Sequence, residues 1–507
     1  MVKKKVFAAA SAALIAMLSF GPLAAQTMAT HVDIGATSGA VSLDPWGVSF
    51  FQLRQVYDPL IEYADDGTLV GALAERWEYL DPGTLQIVLR EGVTFSDGEP
   101  LTADTIAYNI ERLNTSTNPA HSLLQQRLNI FPSAGMGITA EIVDARTVNL
   151  SPAFPDPLFD RRLTGLFIVP QAFTDANEGL LDTAANGTGY FAVTDFVPGQ
   201  TMRFEAWGGS WRGEHAIQTA TYAAIPDPAA LLAALQTGEI DAALGLPPDI
   251  ARSVTEDGTL AVTAQPSYGI ELVSFVSDIE PLFNDVNVRR AFNLAVNKEE
   301  YNAIVLGGFG TVPTGQFLEP GIEGFNPTLE AYPYDPETAR ALLEDAGAAG
   351  MNFTLATTIA NQSRAEAVAG YLQAVGVNAT IEIQDFQAFV GSVLRGATVP
   401  GLLWTPFYTR LASWAEVTRY NPPPPGMQMQ SFFTNDEFAA LSAQLGMTFD
   451  PAERDAIGQQ IMQIAHDEAP ALFLSHPQVF WVHNPAIADL PMAWDTSLRL
   501  WEIEMPE

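Results

Sequence analysis

The 507-residue chain has no cysteine, only six histidines, and 24 lysines and arginines against 59 aspartates and glutamates. Without cysteine there is no disulfide framework, no thiolate zinc site and no thiol to carry a lipid at a lipoprotein cleavage site. A chain this long buries enough surface to do without cross-links. The formal net charge of −35 repels phosphate backbones and anionic headgroups, so nucleic acid is not an expected partner. His31, His121, His215, His466, His476 and His483 form no His-Glu-x-x-His helix. His476 and His483 have an odd spacing, i and i+7, which sets them on opposite faces of a continuous strand. No Gly-x-Ser-x-Gly elbow and no Gly-x-x-x-x-Gly-Lys loop occurs. Gly307-Gly308-Phe309-Gly310 lacks the strand–helix setting of a dinucleotide site. No metal or other cofactor is expected.

What is present is a large apolar fraction. Hydrophobic residues make up 48% and charged residues 16%, which fits a globular core and not a disordered chain. The length fits two to four domains at roughly 100–200 residues each. Lys3, Lys4 and Lys5 precede an apolar stretch from Val6 to Phe20, which Gly21 and Pro22 break. Leu23-Ala24-Ala25 then offers small residues for cleavage after Ala25. The apolar stretch is too short for a membrane span, and no later run is long enough. Residues 1–25 read as a signal peptide. The expected product is a freely diffusing periplasmic protein, not anchored in the membrane.

Strand and helix signals alternate to the end. His31–Ala36 alternates as a first strand, followed by a turn at Leu43-Asp44-Pro45-Trp46. Phe50–Glu62 has helical spacing. Leu85–Leu89 is strand-like, and Thr102 can cap a helix that Asp104 favours electrostatically. Further helices are expected at Pro228–Thr237, Val288–Val296, Ala339–Asp345 (closed by Gly347), Val368–Val375 and Pro451–His466. Strands are expected at Asp241–Leu244, Thr354–Thr357, Thr380–Ile383 and Leu472–Leu474. Such mixing implies an α/β fold. Pro422–Pro425 with Gly426 reads as a stiff surface loop.

An ordered series of segments resembles the family 5 solute-binding proteins, the oligopeptide-, dipeptide- and nickel-binding components of ABC importers. It begins with Ala74-Glu75-Arg76-Trp77. Leu89-Arg90-Glu91-Gly92-Val93-Thr94-Phe95-Ser96-Asp97-Gly98 leads into Glu99–Asp104, and Asn109-Ile110-Glu111-Arg112 follows. Val288–Lys298, Tyr334–Gly347, Leu372–Val377 and Arg454–Pro470 with Leu472–Leu474 continue it. The resemblance implies a type II periplasmic-binding-protein fold: two lobes, a ligand cleft between them and an extra inserted domain. By analogy domain I takes 30–70, 182–288 and 468–507, domain II 71–181, and domain III 289–467. It further implies a monomer that closes on a small-molecule or peptide ligand and meets the transmembrane subunits of an ABC permease.

In peptide-binding members the recognition segment holds a tryptophan and, soon after, an aspartate that grips the peptide amino terminus. Trp404 matches the tryptophan. Phe407 occupies or neighbours the aspartate's place, so an ammonium group would lack a carboxylate there. Arg410 offers a fork suited to a carboxylate or phosphate. The bland alternative is a solvated surface arginine. Trp404, Tyr408 and Trp414 form an aromatic cluster; Tyr268, Trp46 and Thr188-Gly189-Tyr190 are further candidates for the cleft. The expected ligand is a peptide or peptide-like polar solute. An oligosaccharide, an opine-like conjugate and a nickel chelate remain alternatives within the family, and a periplasmic hydrolase or sensor is one outside it.

Overall fold

The computed structural model describes residues 30–47, 50–128, 130, 135–177, 181–395, 397–404, 434–488, 490–493 and 495–504. The signal segment and the proline run lie outside them. In chain order the strands are β1 (Thr30–Ala36), β2 (Ile61–Tyr63), β3 (Leu69–Gly71), β4 (Ala74–Asp81), β5 (Thr84–Leu89) and β6 (Thr139–Ile142). Next come β7 (Thr147–Ser151), β8 (Phe191–Val197), β9 (Thr201–Ala206), β10 (Ile217–Ala224), β11 (Ala242–Leu244) and β12 (Ala261–Pro266). Last are β13 (Glu271–Phe275), β14 (Gly310–Thr311), β15 (Asn352–Thr358), β16 (Asn378–Gln384), β17 (Gly401–Trp404) and β18 (Ala471–His483).

The main sheet runs β16-β15-β17-β13-β18-β11-β1-β10-β9-β8, with β12 and β14 paired onto β18. β18 is its spine. Residues 471–475 pair with β13, whereas residues 478–483 pair with β12 and, at their end, with β11. The sheet therefore has two halves. In the first, side chains alternate between two cores, as a strand period of two requires. Leu272, Leu402 and Trp404 enter one core with Phe317 and Ile461. Val273 and Leu403 enter the opposite one with Phe292 and Leu355. In the second half Val32, Ile34 and Ala220 pack with Trp481 and Trp501. Each fully buried Val, Leu, Ile or Phe side chain among these contributes roughly 1.5–3 kcal/mol.

Strands β4-β5-β7-β6 form a separate antiparallel sheet. The helix Ala103–Thr115 lays Ile106, Ile110 and Leu113 onto Leu85, Ile87, Val148 and Leu150. Thr102 caps it as its position implies: its side chain accepts from the Thr105 amide, and the Thr105 hydroxyl accepts from the Thr102 amide at 3.2 Å. Thr102→Ala is expected to weaken this helix start by about 1 kcal/mol. Hydrogen exchange of the Thr105 amide should then speed up several-fold; unchanged protection would show that the cap contributes nothing. Before this helix, Gly98 turns the chain at φ +91°, its amide donating to the Phe95 carbonyl at 2.9 Å.

One expected helix is not formed. The segment Phe50–Glu62 is helical only over Phe50–Leu53 and then extends into β2. The turn at Arg54–Val56 that follows the helix is paired elsewhere: Gly189 N donates to Val56 O at 2.8 Å and Phe191 N to Gln55 O at 3.0 Å. A Cβ at Gly187 would collide with the Val56 carbonyl oxygen, so glycine there permits the approach. Pro59 also has no amide to continue a helix. Tertiary pairing outweighs the local periodicity.

Candidate functional site

The chain crosses between the sheet halves at Ser267–Ile270 and again at Ser475–Gln478, inside β18. β15, β16 and β17 run parallel and end at Thr358, Gln384 and Trp404. β13, antiparallel to β17, begins beside that edge. Across the crossings β1, β10 and β11 run parallel and end at Ala36, Ala224 and Leu244. The register on β18 points the ends of β11 and β12 toward the crossings. The carboxyl ends of both half-sheets therefore face one another across the two connecting strands. Ligands bind outside such ends in open α/β sheets. Four helices start just past them: Pro228–Thr237, Pro248–Asp257, Gln362–Ala374 and Phe386–Arg395. Helix N-termini carry partial positive charge, so this edge favours a ligand rich in acceptors.

The crossings are tied together. Ser267 N donates to Pro477 O at 3.2 Å, and His476 Nδ1 donates to Gly269 O at 3.1 Å. Burial, partly offset by that carbonyl, pushes the His476 imidazole down to about 4, so it is neutral near pH 7. Tyr268, between β12 and β13, sits in the left-handed region at φ +56° and packs against the first core. A non-glycine residue there stores strain of about 1–2 kcal/mol.

Where β13 starts, Glu271 is fully buried. It accepts from the Tyr301 hydroxyl and from Arg364 Nη1 at 2.8 Å. Burial, reinforced by the Glu271 charge, pushes the Tyr301 phenol far up, so it stays a donor. Arg364 lies in the first turn of Gln362–Ala374, at the edge just described. Sequence reasoning missed this cluster. Its signal is a lone carboxylate in the run Ile270–Phe275, where Ser274 is the other polar residue.

The candidates named from sequence divide three ways. Trp404 ends β17 at the facing edge, buried, its indole N–H donating to Ser274 Oγ at 3.0 Å. Tyr268 lies in the crossing. Phe407, Tyr408, Arg410 and Trp414 lie outside the described residues. Trp46 is a correction: it is buried in the core of the four-stranded unit, its indole N–H donating to Phe167 O at 2.8 Å. Arg112 covers its ring at 4.1 Å, so packing explains it in full. Thr188 and Tyr190 are likewise structural, bonded to Asp58 and His215 O.

A cavity of about 700 Å³ opens where the β2–β3 hairpin, the four-stranded unit and the first sheet half meet. Tyr63, Leu69, Tyr79, Arg161, Glu323 and Arg454 are among its walls.

The sequence model of the bacterial extracellular solute-binding proteins, family 5, matches residues 68–436. The chain belongs to this family. As a family 5 solute-binding protein it is 27% identical over 460 residues to the dipeptide-binding protein of Escherichia coli K12, covering 84% of each chain. It is 26% identical over 499 residues to the glutathione-binding protein GsiB of Salmonella typhimurium, covering 94% of this chain and 95% of that one. Among solved structures, the ABC transporter-associated periplasmic binding protein DppA of Helicobacter pylori, in complex with peptide STSA, superposes with a TM-score of 0.79 at 20% identity. That match covers 94% of this chain and 98% of the other. The family 5 protein thus has the two-lobed periplasmic-binding-protein fold. No helix among its described residues is long and apolar enough to cross a membrane.

Proposed function

We propose that this family 5 protein captures a peptide or peptide-like polar solute between its two lobes in the periplasm and delivers it to an ABC permease. The observation that carries the reading is the facing of the strand carboxyl ends, with their helix N-termini, across two connecting strands. Residues 30–70, 182–288 and 468–507 form one lobe together with the insertion 71–181, and 289–467 form the other. Closure draws its free energy from contacts that exist only when both lobes touch the ligand. The protein acts as a monomer, released from its signal peptide, and performs no covalent step.

Trp404, Tyr268, Phe407, Tyr408 and Trp414 supply apolar and stacking surface. Arg410 grips an acceptor group of the ligand, in place of the carboxylate that grips an amino terminus. The names of the dipeptide- and glutathione-binding relatives support a small peptidic ligand. A thermal-shift panel of dipeptides, glutathione, oligosaccharides, an opine-type conjugate and nickel–histidine tests the class. A true ligand at a hundredfold excess over Kd stabilises by about 2.7 kcal/mol. Silence across the whole panel would count against capture of such solutes. For the compound that registers, Arg410→Ala should weaken binding by roughly 10- to 100-fold in calorimetry. Unchanged affinity would remove Arg410 from the site.

A further inference from the structure

The seam cavity is walled from units with separate cores. Arg161 follows Phe159, which packs in the core of the four-stranded sheet. Glu323 follows Ile322, and Arg454 precedes Ile457, both in the first core of the far sheet half. Between these bodies Arg161 Nη2 lies 2.7 Å from Glu323 Oε2. On the far side Glu323 is already gripped by Arg454, with Nε at 2.6 Å from Oε1 and Nη2 at 3.0 Å from Oε2. Arg454 also donates to the Phe449 carbonyl at 3.1 Å, which ties Phe449 to the same jaw. The Phe449 ring meets Tyr79 of β4 edge-to-face, centroids 5.3 Å apart. The Tyr79 hydroxyl in turn accepts from the Asp160 amide at 3.2 Å, next to Arg161. Each jaw is thus organised within its own unit, and among the described residues an ion pair and a ring contact join them.

From this geometry we infer that Arg161, Glu323, Tyr79 and Phe449 form a clasp that favours the closed molecule and completes the seam cavity. The inserted unit is then a working part of closure. The inference rests on the lobed reading above, but not on the identity of the ligand. Arg454 stays paired with Glu323 when the lobes part, so opening breaks only the Arg161 half of the bridge. Glu323 and Arg161 are only partly exposed, at 16% and 25% of their side chains, so salt screens the pair less than a surface pair.

The absence of native cysteine permits clean labelling. Nitroxides placed at Glu111→Cys, in the inserted unit, and Glu437→Cys, in the far lobe, report the distance between them by pulsed electron resonance. Measured without ligand, Arg161→Gln should lower the ratio of short to long distances about three- to tenfold. Arg161→Glu, which sets like charges together, should lower it further, and Arg161→Lys should restore part of it. A distance distribution unchanged in both Arg161→Gln and Arg161→Glu, with the far-ultraviolet spectrum intact, would overturn the clasp. Shortening driven by glutathione in those variants, with ligand-free distances unchanged from the unaltered protein, would overturn the clasp and leave the transport reading standing. Ligand-free distances that shift as expected in the variants, with no response to glutathione in the unaltered protein, would uphold the clasp and sink the transport reading.

Discussion

Asp58→Ala is expected to lower the unfolding free energy by about 3–5 kcal/mol, because it strips a buried guanidinium of its main carboxylate. Asp58 is 1% exposed. It accepts from Arg212 Nη2 at 2.7 Å and Nε at 3.0 Å, from Trp211 Nε1 at 2.8 Å and from Thr188 Oγ1 at 2.9 Å. Among the described residues Arg212 would keep the Glu62 carboxylate, at 3.3 Å, and the weaker contacts of its guanidinium with the Trp211 and Trp501 rings, at 4.6 and 4.9 Å. Burial pushes the Glu62 carboxyl up, yet Arg212 and Arg54 outweigh it and hold it below the usual range. Asp58→Asn keeps the volume and loses the charge, and should cost a similar amount. The effect reaches the cavity, because Asp58 opens the segment that continues through Pro59 into β2 and Tyr63. A drop of less than 1 kcal/mol in denaturant melts of both variants would show that Glu62 alone satisfies Arg212.

Lys298→Met should have the opposite sign. Lys298 is 3% exposed, and its Nζ donates to the Asn293 carbonyl at 2.5 Å. Burial pushes its ammonium down to about 7 from an ordinary value near 10.5. Between those two values the unfolded chain holds a proton that the folded protein has released. Stability therefore rises with pH across that window, by up to about 1.4 kcal/mol per unit. Below about pH 7 both states are protonated, and the folded protein bears the full cost of a buried charge. Methionine fills similar space without the charge, at the expense of one hydrogen bond worth about 1 kcal/mol. The variant should gain roughly 1–3 kcal/mol near pH 7 and lose most of the rise from pH 7 to 10. Melts of the two proteins at pH 7 and pH 9.5 check this. Parallel pH dependence in both would place the titration elsewhere.

Local chemistry was readable in the sequence wherever neighbours in the chain decide the structure. Thr102 caps its helix, Gly98 takes the left-handed turn, and Gly347, at φ +68°, follows the helix Pro336–Asp345. The ordered motifs from Ala74 to Leu474 carried the family and with it the lobed fold. The Arg54–Leu60 stretch has helical apolar spacing, while its pairing partners are distant in the chain: Gly189 and Phe191 for Val56 and Gln55, and Phe167 and Ile168 for Pro59 and Asp58. Trp46 was misplaced for a related reason. A tryptophan in a turn looks like a binding residue until Arg112 and His121, from two other elements, are found around it. The Glu271–Arg364 pair spans 93 residues, and no local pattern links its ends. Only the register of β13 on β18 and the start of the helix Gln362–Ala374 bring them together.

Native mass spectrometry of the purified protein, incubated with the compound that the thermal panel selects and then released by acid, bears most directly on the idea of a carrier. The expected spectrum shows a single saturable 1:1 adduct, and the compound recovered from it has its original mass. A recovered fragment or altered mass, or adducts that never saturate, would contradict a protein that closes on a solute and lets it go unchanged.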